Sequence, residues 1–226
     1  WHLTPSKSSY IIYVNALAFV GTQESRATLL YLTPPTGSPD FFAAYMNVSY
    51  NSGTGLFQAS GTTVDYANGS ATLMDVGEYT LSATITSAGV LTSGDLTIRG
   101  DITGSGVENL LTGTLNTGSS GTAFGFDNAG GDIFEFLFTV TGVHPSIVAD
   151  FGGLGTPNCG VILDANFEAS GGFNGSWASD FSNNGNGNAV SDNYAPVPEP
   201  TTGCLLGVGI VAWAMTLRHS KRRRAS

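Results

Sequence analysis

The chain has 226 residues, a formal net charge of −9, 31 glycines and only 11% charged side chains. All seventeen acids lie within residues 1–200, beside just three bases, Lys7, Arg26 and Arg99. So acidic a body repels phosphate backbones, which excludes nucleic acid as a partner, while 41% hydrophobic residues suffice for one packed core and exclude wholesale disorder.

The stretch YIIYVNALAFVG, residues 10–21, is apolar and follows Lys7. It contains Ala16-Leu17-Ala18, a small-x-small triplet like the cleavage site of a secretory signal. Residues 1–21 therefore read either as a truncated signal-peptide remnant, in a chain that starts at Trp1, or as a first strand.

From residue 22 to 181 the pattern is β. YTLSATIT (79–86) alternates strictly, with Tyr79, Leu81, Ala83 and Ile85 on one face and hydroxyl residues on the other. SAGVLTSG (87–94) is rich in turn formers and leads into DLTIRGDI (95–102), a partner strand. DIFEFLFTVTG (132–142) places Phe134, Phe136, Phe138 and Val140 on one side and mixes Ile133, Glu135, Leu137 and Thr139 on the other, as a core strand would. Further strands are expected at 27–32, 43–50, 55–60, 71–76, 109–115, 122–126 and 161–168. No 3.6-residue apolar stripe or fixed-period repeat interrupts them. The expected fold is all-β, an antiparallel sandwich or flattened barrel. SNNGNGNAVSDN (182–193) nearly lacks large apolar groups, so 182–196 is expected to be a flexible linker.

Catalytic chemistry finds little to work with. Of three histidines, His2 and His219 sit in the terminal stretches, and His144 precedes Pro145 in an expected surface loop. There is no G-x-S-x-G elbow, no H-E-x-x-H and no C-x-x-C. Cys159 reads as a small buried apolar residue, and Cys204 lies in a separate apolar run, so neither a disulfide nor a zinc site is expected. Asp127 and Asp132 flank DNAGGD, and Asp180 and Asp192 bracket an Asn/Gly run. Such turns can hold calcium, but neither has EF-hand spacing, and Asx residues in turns usually cap their own backbone. The expectation is no catalytic residue, no metal site and no cofactor, with calcium in these turns a weak exception. Trp177 and Tyr194 are open to two readings: exposed, sugar-stacking aromatics as in carbohydrate-binding modules, or core or linker residues, core being favoured for Trp177.

The last thirty residues differ in kind. Val197-Pro198-Glu199-Pro200 is a stiff, extended segment, because each proline fixes its φ and restricts its predecessor. TTGCLLGVGIVAWAMTL (201–217) carries no charge, and as a helix it would reach about 25 Å, enough for a thin hydrocarbon core. Arg218, Lys221, Arg222, Arg223 and Arg224 follow, and their positive charge is expected to stay cytoplasmic, which places the body outside the inner membrane. A plain single-span anchor is one reading, and a GPI signal a poorer one, since it lacks the basic end.

The order of motif, apolar span and basic end resembles the PEP-CTERM sorting signal of certain bacteria. The resemblance covers only about the last thirty residues. It implies export, recognition of Pro198, Glu199 and Pro200 by the membrane-embedded cysteine protease exosortase, a transient anchor in the bacterial inner membrane at 201–217, and a cytoplasmic end at 218–226. Cys204 would then leave with the discarded peptide. The expected function is that of a non-enzymatic, exported surface or matrix protein, and the resemblance further implies that its surroundings are exopolysaccharide or biofilm. The alternative is a carbohydrate-binding or carbohydrate-active module with the same tail.

Overall fold

The computed structural model describes residues 29–34, 36–127, 132–167, 172–183 and 190–194. The signal-or-strand stretch 10–21, the motif 197–200, the apolar run 201–217 and the basic end lie outside the described residues.

Eight strands make a wall: β1 (Asp40–Asn51), β2 (Leu56–Ala67), β3 (Gly77–Ile85), β4 (Val90–Gly100), β5 (Glu108–Leu115), β8 (Ile133–Val143), β9 (Cys159–Asp164) and β11 (Val190–Tyr194). Each pairs antiparallel with the next in that order. Both β2 and β11 pair with β1, which closes the sheet on itself. Between the sandwich and the barrel left open by the sequence, the structure selects an up-and-down closed barrel. Three short strands sit off this path: β6 (Gly118–Ser119), β7 (Phe124–Phe126) and β10 (Phe181–Ser182). The single α-helix among the described residues, α1 (Val148–Phe151), is one turn long and follows a 3₁₀ turn at Pro145–Ile147.

Closure needs bends, and β-bulges supply them. Register shifts fall at Phe42/Ala43 and Ala44/Asn47 in β1, and at Ile98/Arg99 in β4. In the second β1 shift Tyr45 takes a positive φ and turns outward. Gly61 of β2 faces this shift, where a Cβ would strike Met46 and the carbonyl of Ala44, so only glycine fits.

The period-2 pattern sets inside from outside. Tyr79, Leu81, Ala83 and Ile85 point inward, as do Phe134, Phe136, Phe138 and Val140, and all are buried. An eight-stranded barrel has an interior that side chains can fill, and here they do so with aromatic rings.

Two expected strands and the expected linker come out differently. The described part of 27–32 forms no ladder, because its N–H groups go to a carboxylate instead. Residues 71–76 contribute one isolated bridge, Asp75 to Asp101, and otherwise form a connection. The expected linker 182–196 contains Ser182 of β10 and all of β11, so the spacer reading does not hold at 190–194. There the backbone pairs with β9 on one side and β1 on the other.

The barrel has two distinct ends. Connections β1–β2, β3–β4, β5–β8 and β9–β11 lie at the far end; β2–β3, β4–β5 and β8–β9 lie at the exit end, where β11 delivers the chain toward residue 195.

Candidate functional site

The tail leaves the barrel from β11, and this strand is built unusually. β1 has twelve residues, and two separate pieces of chain cover its outer edge. β11 pairs with Asp40–Ala44, while β10 pairs with Ser49 and Tyr50. The gap is bridged by one side chain, Asn183, which is buried. Its Oδ1 accepts from Val48 N at 3.0 Å, and its Nδ2 donates to Met46 O at 2.8 Å and to Ala165 O at 3.0 Å. A side-chain amide thus stands in for a peptide group, satisfying backbone that would otherwise be orphaned in the core.

At the exit, Asn193 faces inward. Its Nδ2 donates to Phe41 O at 3.1 Å, and the Tyr79 hydroxyl donates to its Oδ1 at 3.2 Å from across the barrel. Tyr194 faces outward but is buried, its ring lying over Gly160 of β9, where a Cβ would collide with it. Burial, then the nearby charges of Glu135 and Asp40, push its phenol up to about 12.

Three carboxylates surround this seam on the outer face. Asp40 and Asp192 lie on β1 and β11, and Asp65 lies on β2 opposite Phe42. Burial, then the charge of Asp192, push Asp40 up to about 6, although Asn193 N donates to it at 3.0 Å; Asp65 adds to the rise. Burial also raises Asp192. Next to the seam, Glu135 of β8 accepts from Leu30 N, Tyr31 N and Leu32 N at 2.5, 3.1 and 2.9 Å. These three successive N–H groups form an anion-holding nest, which straps the segment before β1 to the wall.

The far end is plugged by the β9–β11 connection. Trp177, 1% exposed, meets Tyr50 edge-on at 4.9 Å and packs against Phe173 at 4.8 Å; Phe181 stacks on Tyr50 at 5.2 Å. The core reading of Trp177 holds, and Tyr194 is buried too, so neither presents a face to a sugar. Cys159 is a free, buried thiol pushed up to about 12 by burial, which makes it unreactive.

The other candidate residues serve the fold. His144 Nδ1 accepts from Ser146 N and caps the 3₁₀ turn, and its Nε2 lies 3.3 Å from Glu108. Asp132 accepts from Phe167 N, and Asp180 accepts from both the N–H and hydroxyl of Ser52 at 2.7 Å, which holds its carboxyl pKa below the usual value. Among the described residues no group of three His, Cys, Asp or Glu is placed to hold a metal ion. Nor, among them, is any helix long and apolar enough to cross a membrane.

The body is thus a closed, side-chain-filled barrel whose closing strand runs directly into a separate C-terminal signal. The family model described as the PEP-CTERM protein-sorting motif matches residues 196–223, beginning two residues after β11 ends. The chain carries this motif at its C-terminal end, which implies exosortase-dependent export and a membrane-anchored precursor. No curated protein and no solved structure matches the chain.

Proposed function

We propose that this is a non-enzymatic protein of the cell surface or extracellular matrix. Exosortase recognises it at Pro198-Glu199-Pro200 and cleaves there, and the span 201–217 with Arg218, Lys221, Arg222, Arg223 and Arg224 holds it in the inner membrane until then. The sorting motif immediately after the closing strand carries this reading. Two further observations support it: the barrel interior is occupied by its own rings, and the carboxylates on its loops are engaged by neighbouring N–H and hydroxyl groups. The product would take its place within exopolysaccharide.

The test follows mass and location of Pro198→Ala and Glu199→Ala in the exporting cell. Both variants should keep residues 201–226 and stay with the membrane; maturation like the parent's would sink exosortase recognition. For the non-enzymatic role, the full chain is incubated with extracellular glycans. Turnover that disappears when one acid pair is altered would overturn it and favour the carbohydrate-active alternative.

A further inference from the structure

Seven large hydrophobic residues are exposed among the described residues, and five of them, Met74, Val76, Val107, Val148 and Leu154, lie at the exit end. They come from three different connections, β2–β3, β4–β5 and β8–β9. The connections form one rim. Met74 N donates to Asp101 O at 2.6 Å, Ser70 Oγ donates to Ser146 O at 3.0 Å, and His144 of β8–β9 meets Glu108 at the start of β5. At the far end the connections read Ser-Gly-Thr-Gly (52–55) and Thr-Ser-Ala-Gly (86–89), and of their large apolar neighbours Tyr50 and Ile85 are buried and Leu56 and Val90 half-buried.

Two of the rim's acids, Asp101 and Asp150, point into its own loops. Asp101 accepts from Thr103 N, Gly104 N and Gly106 N, and these bonds hold its carboxyl below the usual range. Burial alone would raise Asp150, but hydrogen bonds from Ser70 and Tyr66 bring it below its usual value. These two carboxylates are engaged within the rim while the apolar tips stay exposed, Met74 at 64% and Leu154 at 72%.

This is also the end from which the chain departs. Six residues, 195–200, separate Tyr194 from the apolar run at 201, so the end of β11 stands at most roughly 25 Å from where that run begins. Apolar tips gathered on one face mark an interaction surface, and side chains of this kind can settle into the boundary between headgroups and acyl chains. We infer that the exit end of the barrel is a membrane-docking surface, with Met74, Val107, Val148 and Leu154 entering the outer headgroup layer of the bilayer that the tail crosses. The inference rests on the sorting reading of the tail. Its occupant is lipid: the tail holds this face at the bilayer before any protein partner need be present. Docking fixes the barrel's orientation and presents residues 195–200 at the membrane surface.

The experiment uses the full chain in phosphatidylcholine nanodiscs, since an anionic surface would repel the acidic body. In a Cys204→Ser background, with Cys159 buried and inert, nitroxides are attached one at a time. Ser105→Cys and Gly153→Cys stand beside the tips without replacing them, and a Cβ at 153 meets open space. Ser87→Cys reports the far end, and Ala214→Cys the tail. Relaxation by oxygen, which concentrates in lipid, is compared with relaxation by a water-soluble nickel chelate. Lipid exposure at 105 and 153 with an aqueous signal at 87 is expected. Combining Met74→Ser, Val148→Ser and Leu154→Ser should return position 153 to water. Aqueous signals at 105 and 153 like that at 87, or a lipid signal at 153 that survives the triple change, would overturn docking. The label at 214 separates the two ideas: lipid at 214 with water at 105 and 153 refutes docking alone, whereas water at 214 refutes the tail reading.

Discussion

At the far end of the barrel, rings from the β9–β11 connection fold inward and leave short polar turns outside. At the exit end the loops hold the carboxylates of Asp101 and Asp150 and turn their Met, Val and Leu tips outward. The same chain therefore closes one end with its core and leaves the other apolar toward its surroundings. The difference follows the path of the backbone: the far end receives a long aromatic connection, and the exit end releases the strand that leads to the sorting signal. The far end is a stability device. The exit end is where the strand leading to the sorting motif leaves the barrel.

The sharpest way to break this contrast is to empty the plug. Trp177→Ala should cost about 3–5 kcal/mol, because it removes the ring that Tyr50, Phe173 and Phe181 surround. The midpoint of denaturant unfolding reads this loss, and a loss near zero would show that the plug is not part of the core. Asn183→Ala comes next. It strands Val48 N and the carbonyls of Met46 and Ala165, at about 1–3 kcal/mol for each group that water cannot reach. Hydrogen exchange at Val48 should quicken with it.

Gly160→Ala should cost about 1–3 kcal/mol, since a methyl there displaces the Tyr194 ring and loosens the strand that carries the tail. Faster amide exchange in residues 190–194 than in β3 would locate the damage. The seam also makes a pH prediction. Asp40 has its pKa raised from 3.8 to about 6, so the folded state favours its neutral form. Its cost is absent below pH 4, grows as pH rises from about 4 to 6, and stays level above that. Allowing for solvent screening, the loss should be about 1–2 kcal/mol. Unfolding midpoints measured across that window should fall for the parent and much less for Asp40→Asn. Smallest of all, Met74→Ser should leave the midpoint within about 0.5 kcal/mol of the parent. A large loss would mean that Met74 is a packing residue and that the exit rim resembles the far end after all.

Much of the wall was legible in the residues. The alternation in 79–86 and 132–142 gave strand and inward face together, because a half-buried strand must alternate. The first half of β4 was not legible: Val-Leu-Thr-Ser-Gly looks like a turn, yet Gly94 is a strand glycine where a Cβ would meet Leu115 and the Ser82 carbonyl. β11 was hidden for a different reason. Val-Ser-Asp-Asn-Tyr lacks apolar alternation because its inward Asn193 is satisfied by Phe41 O and the Tyr79 hydroxyl, groups contributed by distant strands. Asn183 likewise looks like spacer until β1 is seen to lack a neighbour at Met46–Val48.

The order of proline motif, apolar run and basic end is local, so the sequence by itself determined the sorting signal; the family match at 196–223 agrees with it. Strand periodicity is local too, and it determined that the body is β. Closure into a barrel, the plug made by Trp177, and the grouping of Met74, Val107, Val148 and Leu154 on one rim were decided only by tertiary structure. Each depends on pairings or packing between residues far apart in the chain, and no periodicity records which distant strand will supply the missing partner.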